Sequence, residues 1–117
     1  IVRDFVFIDD VASAIVAGVL HSPAAAVPYD IGLGERTTIM QVAQAIAEHY
    51  GAPAPHVTGQ FRDGDVRAAW ADTVRARQAL DWEPRVGVTE GINRLCDWID
   101  AQQEAVPSAP SVTATEV

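Results

Sequence analysis

The sequence contains no lysine. All 8 basic residues are arginine, set against 16 acidic residues for a formal net charge of −8. This absence excludes a phosphate-loop lysine, a Schiff base and a Tyr-Lys catalytic pair. A single cysteine, Cys96, excludes an intramolecular disulfide and fits a reducing compartment. The single methionine is Met40, so Ile1 is not a translational start and is read as the cut edge of a longer protein. No apolar run approaches the roughly 20 residues of a membrane span, and no basic stretch with an apolar core marks a signal peptide. The acidic balance argues against nucleic acid or an anionic membrane as partner, because both need a basic face. A cytoplasmic location is expected.

What remains is an ordinary globular composition. The chain has 117 residues, of which 49% are hydrophobic and 21% charged. That length allows one domain burying roughly two thirds of its unfolded surface.

Phe5-Val6-Phe7-Ile8 reads as a short extended run, and Asp9 or Asp10 as the cap of the helix that follows. Val11, Ile15 and Val19, flanked by Ala12, Val16 and Leu20, predict a helix over about 10–21, which Ser22-Pro23 stops. Val27–Ile31 is a strand candidate, followed by the turn Gly32-Leu33-Gly34. Thr38 and Gln41 have capping-box spacing, and Ile39, Val42, Ala43, Ile46, Ala47 and Tyr50 share one helical face. Gly51 is placed to end that helix in the left-handed conformation, and Pro53 blocks its continuation. Residues 52–71 carry little periodic signal. Asp72 can cap a short helix to about Leu80. The corner Trp82-Glu83-Pro84 leads to a last helix from about Thr89, with Ile92, Leu95, Cys96 and Ile99 facing inward. The organisation expected is one folded portion over 1–102 and a disordered tail over 103–117. The helices present wide apolar faces that a partner half would cover.

Few residues point to chemistry. Gly32-Leu33-Gly34 lacks the third glycine of a dinucleotide fingerprint, since Thr37 occupies that place, so a structural turn is favoured. His21, His49 and His56 have no metal-ligand spacing, and no metal site is expected. Cys96 lies on an apolar helix stripe and reads as a core residue. The cluster Arg62-Asp63-Gly64-Asp65-Val66-Arg67 is different, because nothing about folding demands that charge density in a non-periodic stretch. The net charge is +1 from Gln60 to Arg77 but −4 from Asp81 to Glu104. Guanidinium groups bind phosphate oxygens bidentately, and a neighbouring carboxylate accepts from sugar hydroxyls. A small anionic ligand and a surface salt-bridge network account equally well for the cluster on physical grounds.

Four motifs carry a resemblance over about residues 1–100. Arg3-Asp4-Phe5-Val6-Phe7-Ile8-Asp9-Asp10-Val11-Ala12 resembles the RDFVHVDDVA stretch of the extended short-chain dehydrogenase/reductase family of nucleotide-sugar epimerases and dehydratases. Tyr29–Gly34 is similar to that family's YNVGxG strand and turn. Arg62–Arg67 with Ala71-Asp72 is similar to its R-x-GD-x-R…AD segment. Leu80-Asp81-Trp82-Glu83-Pro84 with Glu90-Gly91-Ile92 is similar to its LGWxP…EGL ending. Phe7 stands where the family often has His, and Asp30 where it often has Asn.

The resemblance implies an α/β fold class: the C-terminal substrate-binding portion of an extended Rossmann-type enzyme, mostly helices with short strands. It implies that Arg3 and Arg62 approach the pyrophosphate of a nucleoside diphosphate sugar and that Asp65 holds the nucleotide ribose. NAD and the Tyr-x-x-x-Lys pair belong to the missing N-terminal Rossmann portion, so this chain has no catalytic or cofactor-binding residue of its own and is expected to be inactive alone. The function implied is the substrate-binding half of a 4-epimerase for a UDP- or dTDP-hexose, homodimeric when intact. A dTDP-glucose 4,6-dehydratase portion and a non-catalytic nucleotide-sugar-binding module are the alternatives.

Overall fold

The structure, a computed structural model, describes residues 1–21 and 27–105. Two short strands, β1 (Val2–Arg3) and β2 (Thr37–Thr38), are joined by four helices: α1 (Ile8–His21), α2 (Ile39–Tyr50), α3 (Val74–Leu80) and α4 (Val88–Ala105). The expected class therefore holds: a helix-rich α/β unit with one small sheet.

β1 is paired on both sides. Val2 lies opposite Thr38 and Arg3 opposite Thr37 in an antiparallel register. On the other edge, Val2 donates its N–H to the Arg67 carbonyl at 2.8 Å, and Ala69 donates to the Val2 carbonyl at 3.1 Å. The extended run expected at Phe5–Ile8 is not a strand. The Phe7 carbonyl accepts from the N–H groups of Asp10 and Val11, so the chain is already entering α1, which starts at Ile8. Phe7 also seats on α4 at Gly91, where an added Cβ would lie 3.1 Å from its ring.

α2 forms as its sequence dictates. Gln41 donates its N–H to the Thr38 hydroxyl while its own side chain accepts from the Thr38 N–H, closing the capping box. Gly51 ends the helix at φ 60° and ψ 29°, the left-handed region where a Cβ is penalised. The N-cap of α3 is Thr73, which makes no side-chain cap bond, so Asp72 is not the cap; one residue earlier, its carboxylate accepts from the Val74 N–H at 3.1 Å. α1 packs on α3, and α2 on α4. The core is small: Ala14, Ala76, Leu80 and Trp82, with Ala17, Tyr29 and Ile31 against it. Trp82 satisfies its indole N–H by donating to the Ser13 hydroxyl at 2.8 Å.

Four further expectations are corrected. Asp10 does not cap α1; its carboxylate accepts from the N–H groups of Arg85 and Val86 at 2.9 and 3.0 Å, tying α1 to the segment before α4. Val27–Ile31 is not a strand, because it has no ladder partner among the described residues. Leu95 and Ile99 do not face inward but are 51% and 36% exposed, because α4 turns its Ile92 and Cys96 side inward. α4 continues through Gln103 and Glu104 to Ala105, so the boundary at 102 falls inside a helix. The stop at Ser22-Pro23 and the tail from 106 onward lie outside the described residues.

Candidate functional site

The site begins at Arg3 and Asp4, which leave β1 with opposite duties. Asp4 is a structural hub: its carboxylate accepts from the N–H groups of Leu33, Gly34 and Ala71 at 2.8, 2.9 and 3.1 Å. Three donors on one carboxylate converge the glycine turn, the segment before α3 and the end of β1. Gly32 is what lets them converge. An added Cβ there would lie 2.5 Å from Asp4 Oδ2 and 2.8 Å from the Ala71 Cβ, so only glycine fits. Arg77 completes the junction, its Nη2 donating to the Leu33 carbonyl at 3.4 Å and its Nε to the Thr73 hydroxyl at 3.1 Å.

Beside this junction, Arg3, Asp4, Asp30, Ile31, Ala69, Trp70 and Ala71 line an open cleft of about 350 Å³. The half-buried Arg3 side chain donates from Nη1 to the Val2 carbonyl at 2.8 Å. The Arg36 guanidinium stacks on the Trp70 indole, 3.9 Å from the ring centroid, and joins the residues before β2 to the segment before α3.

Arg62 and Asp65 stand further out. They are the ends of a four-residue turn in which Asp65 donates its N–H to the Arg62 carbonyl at 3.3 Å, with Gly64 at φ 87°. A positive φ at the third position is the type II signature and explains the glycine. The turn is exposed from Arg62 to Arg67. Of the three residues singled out from sequence, β1 brings Arg3 beside the segment carrying Arg62 and Asp65 through the Val2 bonds to Arg67 and Ala69. Among the described residues no hydrogen bond or ion pair joins Arg3 to Arg62 or Asp65, and neither Arg62 nor Arg67 pairs with a carboxylate.

Asp4, Arg36 and Trp70 were not singled out from sequence. Asp4 meets partners 29, 30 and 67 residues away, and no local pattern signals such a meeting.

The N–H groups of Leu33 and Gly34, which a dinucleotide pyrophosphate would need, already serve Asp4. These residues do not fit NAD. Among the described residues no group of three metal-ligating side chains converges, and no helix is long and apolar enough to cross a membrane.

At the opposite side, α2 and α4 meet through a polar cluster. His49 Nε2 lies 3.6 Å from Asp97, and the Tyr50 hydroxyl donates to Asp100 at 3.0 Å. Loss of surrounding water, then the hydrogen bond to Asp100 and its negative charge, push the Tyr50 phenol up to about 12. Tyr50 is 47% exposed, so the Asp100 carboxylate is the cause that a substitution can isolate.

A short antiparallel ladder and helices stacked in pairs make a helix-rich α/β unit, and its structural neighbours are Rossmann-type epimerases, of which it matches a part. The chain superposes with a TM-score of 0.80 and 28% identity on the UDP-glucose 4-epimerase of Stenotrophomonas maltophila, solved with NAD and formylated UDP-arabinopyranose; the match covers 90% of this chain and 32% of that one. The Thermotoga maritima UDP-glucose 4-epimerase, solved with UDP-glucose, gives 0.77 and 30% over 87% and 32%. In sequence, the chain is 50% identical over 99 residues to the dTDP-L-rhamnose 4-epimerase of Burkholderia thailandensis, covering 85% of this chain and 27% of that protein. It is 38% identical over 97 residues to the UDP-glucose 4-epimerase of Mycolicibacterium smegmatis, covering 82% and 30%. No family model matches the chain. The chain is homologous to the C-terminal part of the nucleotide-sugar epimerases of the extended short-chain dehydrogenase/reductase family, and spans about 30% of the length of these relatives.

Proposed function

We propose that the chain supplies the nucleotide-sugar-binding part of an NAD-dependent 4-epimerase acting on a UDP- or dTDP-hexose. The observation that carries the reading is β1, which holds Arg3 beside the segment bearing the exposed Arg62–Asp65 turn. In this reading Arg3 and Arg62 take the pyrophosphate and Asp65 the ribose hydroxyls. Arginine suits the task because its fork matches two phosphate oxygens and stays charged at every working pH. Each charge-assisted bond contributes ~1.5–3 kcal/mol where water is excluded.

NAD supplies hydride acceptance at the sugar carbon. It is held by a portion outside this chain, whose own glycine turn is committed to Asp4. The 117-residue chain alone is therefore inactive, and the complete protein is a cytoplasmic homodimer. A dTDP-glucose 4,6-dehydratase is the second reading, supported by a TM-score of 0.72 to the Bacillus anthracis enzyme of that name at 25% identity. Isothermal titration with UDP and dTDP tests the nucleotide assignment. Arg62→Ala weakens binding about tenfold or more, corresponding to loss of one charge-assisted bond. Equal affinity in the variant overturns the role of Arg62.

A further inference from the structure

Trp70 is held by its two neighbours in the chain. The Ala69 N–H donates to the Val2 carbonyl at 3.1 Å, and the Ala71 N–H to Asp4 Oδ2 at 3.1 Å. Val2 and Asp4 bracket Arg3 in sequence, so Trp70 runs level with Arg3 along one edge of β1. On the other edge Thr37 lies opposite Arg3, and Arg36 immediately precedes Thr37. The two residues therefore arise on opposite sides of β1. Their side chains still meet, with the Arg36 guanidinium 3.9 Å from the centroid of the Trp70 ring. The stack closes across β1 at the level of Arg3.

This stack lies outside the packed core. Both residues are exposed, Trp70 at 45%, and the core cluster includes neither. Among the described residues Arg36 forms no ion pair with a carboxylate. A cation over an exposed ring contributes little to folding. What the stack does hold is a wall: Ala69, Trp70 and Ala71 line the open cleft that Arg3 also lines. One carbonyl links that wall to Arg3. The Val2 oxygen accepts from the Ala69 N–H and also from Arg3 Nη1, the latter at 2.8 Å. The orientation of the Arg3 guanidinium is thus set by an atom that the wall itself anchors.

We infer that Arg36 and Trp70 are positioning residues for nucleoside diphosphate binding: their stack clamps residues 69–71 against β1 and so fixes the carbonyl that aims Arg3 into the cleft. Both act through Arg3 and not on the ligand. A guanidinium takes two phosphate oxygens at once only when its fork is held in the matching orientation. Binding groups are held that way by neighbours whose own side chains are locked by packing. The ligand in this inference rests on the proposed function, whereas the clamp on the cleft wall is read from the contacts alone.

Isothermal titration of the 117-residue chain with UDP, beside backbone hydrogen exchange, tests the clamp under conditions where circular dichroism shows each variant folded. Arg36→Ala weakens UDP binding about fivefold, the loss expected of one exposed cation–π contact. Trp70→Leu weakens it equally, and the two substitutions together weaken it no further. Arg36→Lys, which keeps a cation over the ring, restores most of the affinity, whereas Arg36→Gln does not. In both single variants the Ala69 and Ala71 amides exchange about fivefold faster. A purely structural stack would lower the urea midpoint of Arg36→Ala and leave its UDP affinity at the wild-type value, which overturns the inference. Weaker binding in Arg36→Ala with none lost in Trp70→Leu shows Arg36 touching the ligand itself and overturns it too. So does an Arg36→Ala chain that fails to fold, because the stack then belongs to the frame. If the wild-type chain binds no UDP, exchange still decides: faster amides at Ala69 and Ala71 keep the clamp and reject the nucleotide assignment, and unchanged amides reject both.

Discussion

Two carboxylate-centred regions of the molecule do opposite work. Asp4 and Asp10 direct their oxygens inward to backbone N–H groups that arrive from up to 76 residues away. Asp65 and Arg62 close only a local turn and leave their side chains to solvent. The first pair builds a frame, and the second is free to meet a ligand. A charge already satisfied by the fold has little left to offer a substrate. By that criterion the conspicuous Asp9-Asp10 and Gly32-Leu33-Gly34 motifs are structural, and the exposed turn is the better candidate for recognition.

The contrast is sharpest in stability. Asp10 is 3% exposed, and its removal strands the buried N–H of Val86 and the part-buried N–H of Arg85. Asp10→Ala is expected to lower stability in urea unfolding by on the order of 3 kcal/mol or more. Arg62→Ala, which touches no folded partner, changes it by less than about 0.5 kcal/mol while weakening nucleotide binding. If both variants unfold at the same urea concentration, the division between frame and recognition turn is wrong.

Next in size is Gly32. A methyl group there collides with the Asp4 carboxylate at 2.5 Å and with the Ala71 side chain at 2.8 Å, neither of them the end of a long flexible chain. Gly32→Ala is expected to cost about 1–3 kcal/mol, as overpacking does. The double variant Asp4→Ala/Gly32→Ala is less destabilised than the two single effects added, because removing the carboxylate makes room for the methyl. Strict additivity would show that Gly32 is not there to admit Asp4.

How much of this was legible in sequence follows from the range of the interactions. The helices were, because Thr38, Gln41 and Gly51 sit in one local pattern that caps and ends α2 whatever surrounds it. Arg62 and Asp65 stood out because charge in a non-periodic stretch is visible without a fold. Phe5–Ile8 misled: a β-rich composition competes with helix entry, and the Phe7 carbonyl bonds to Asp10 and Val11 decide it. Val27–Ile31 carried a strand's pattern without the neighbour that completes a strand. Asp10 read as a cap because capping is local, whereas its true partners lie 75 and 76 residues on. Asp4 gave no signal for the same reason.

The smallest effect tests a third polar region, where α2 meets α4. Tyr50 combines loss of water with hydrogen bonds to the Asp100 carboxylate and the Cys96 carbonyl. Its phenol, ordinarily near 10.0, is pushed up to about 12 by loss of water and by its hydrogen bond to Asp100. The raised value means that the protonated phenol is favoured in the folded state. Its contribution to stability is therefore complete below pH 10 and fades as the pH rises through about 12. Near-ultraviolet tyrosinate absorbance of the folded chain is expected to show a late step near 12 that Tyr50→Phe removes. Asp100→Asn removes the negative charge and brings the late step back toward 10. An unchanged late step would trace the shift to lost water and the Cys96 contact, and the α2–α4 junction would then owe nothing to the charge on Asp100.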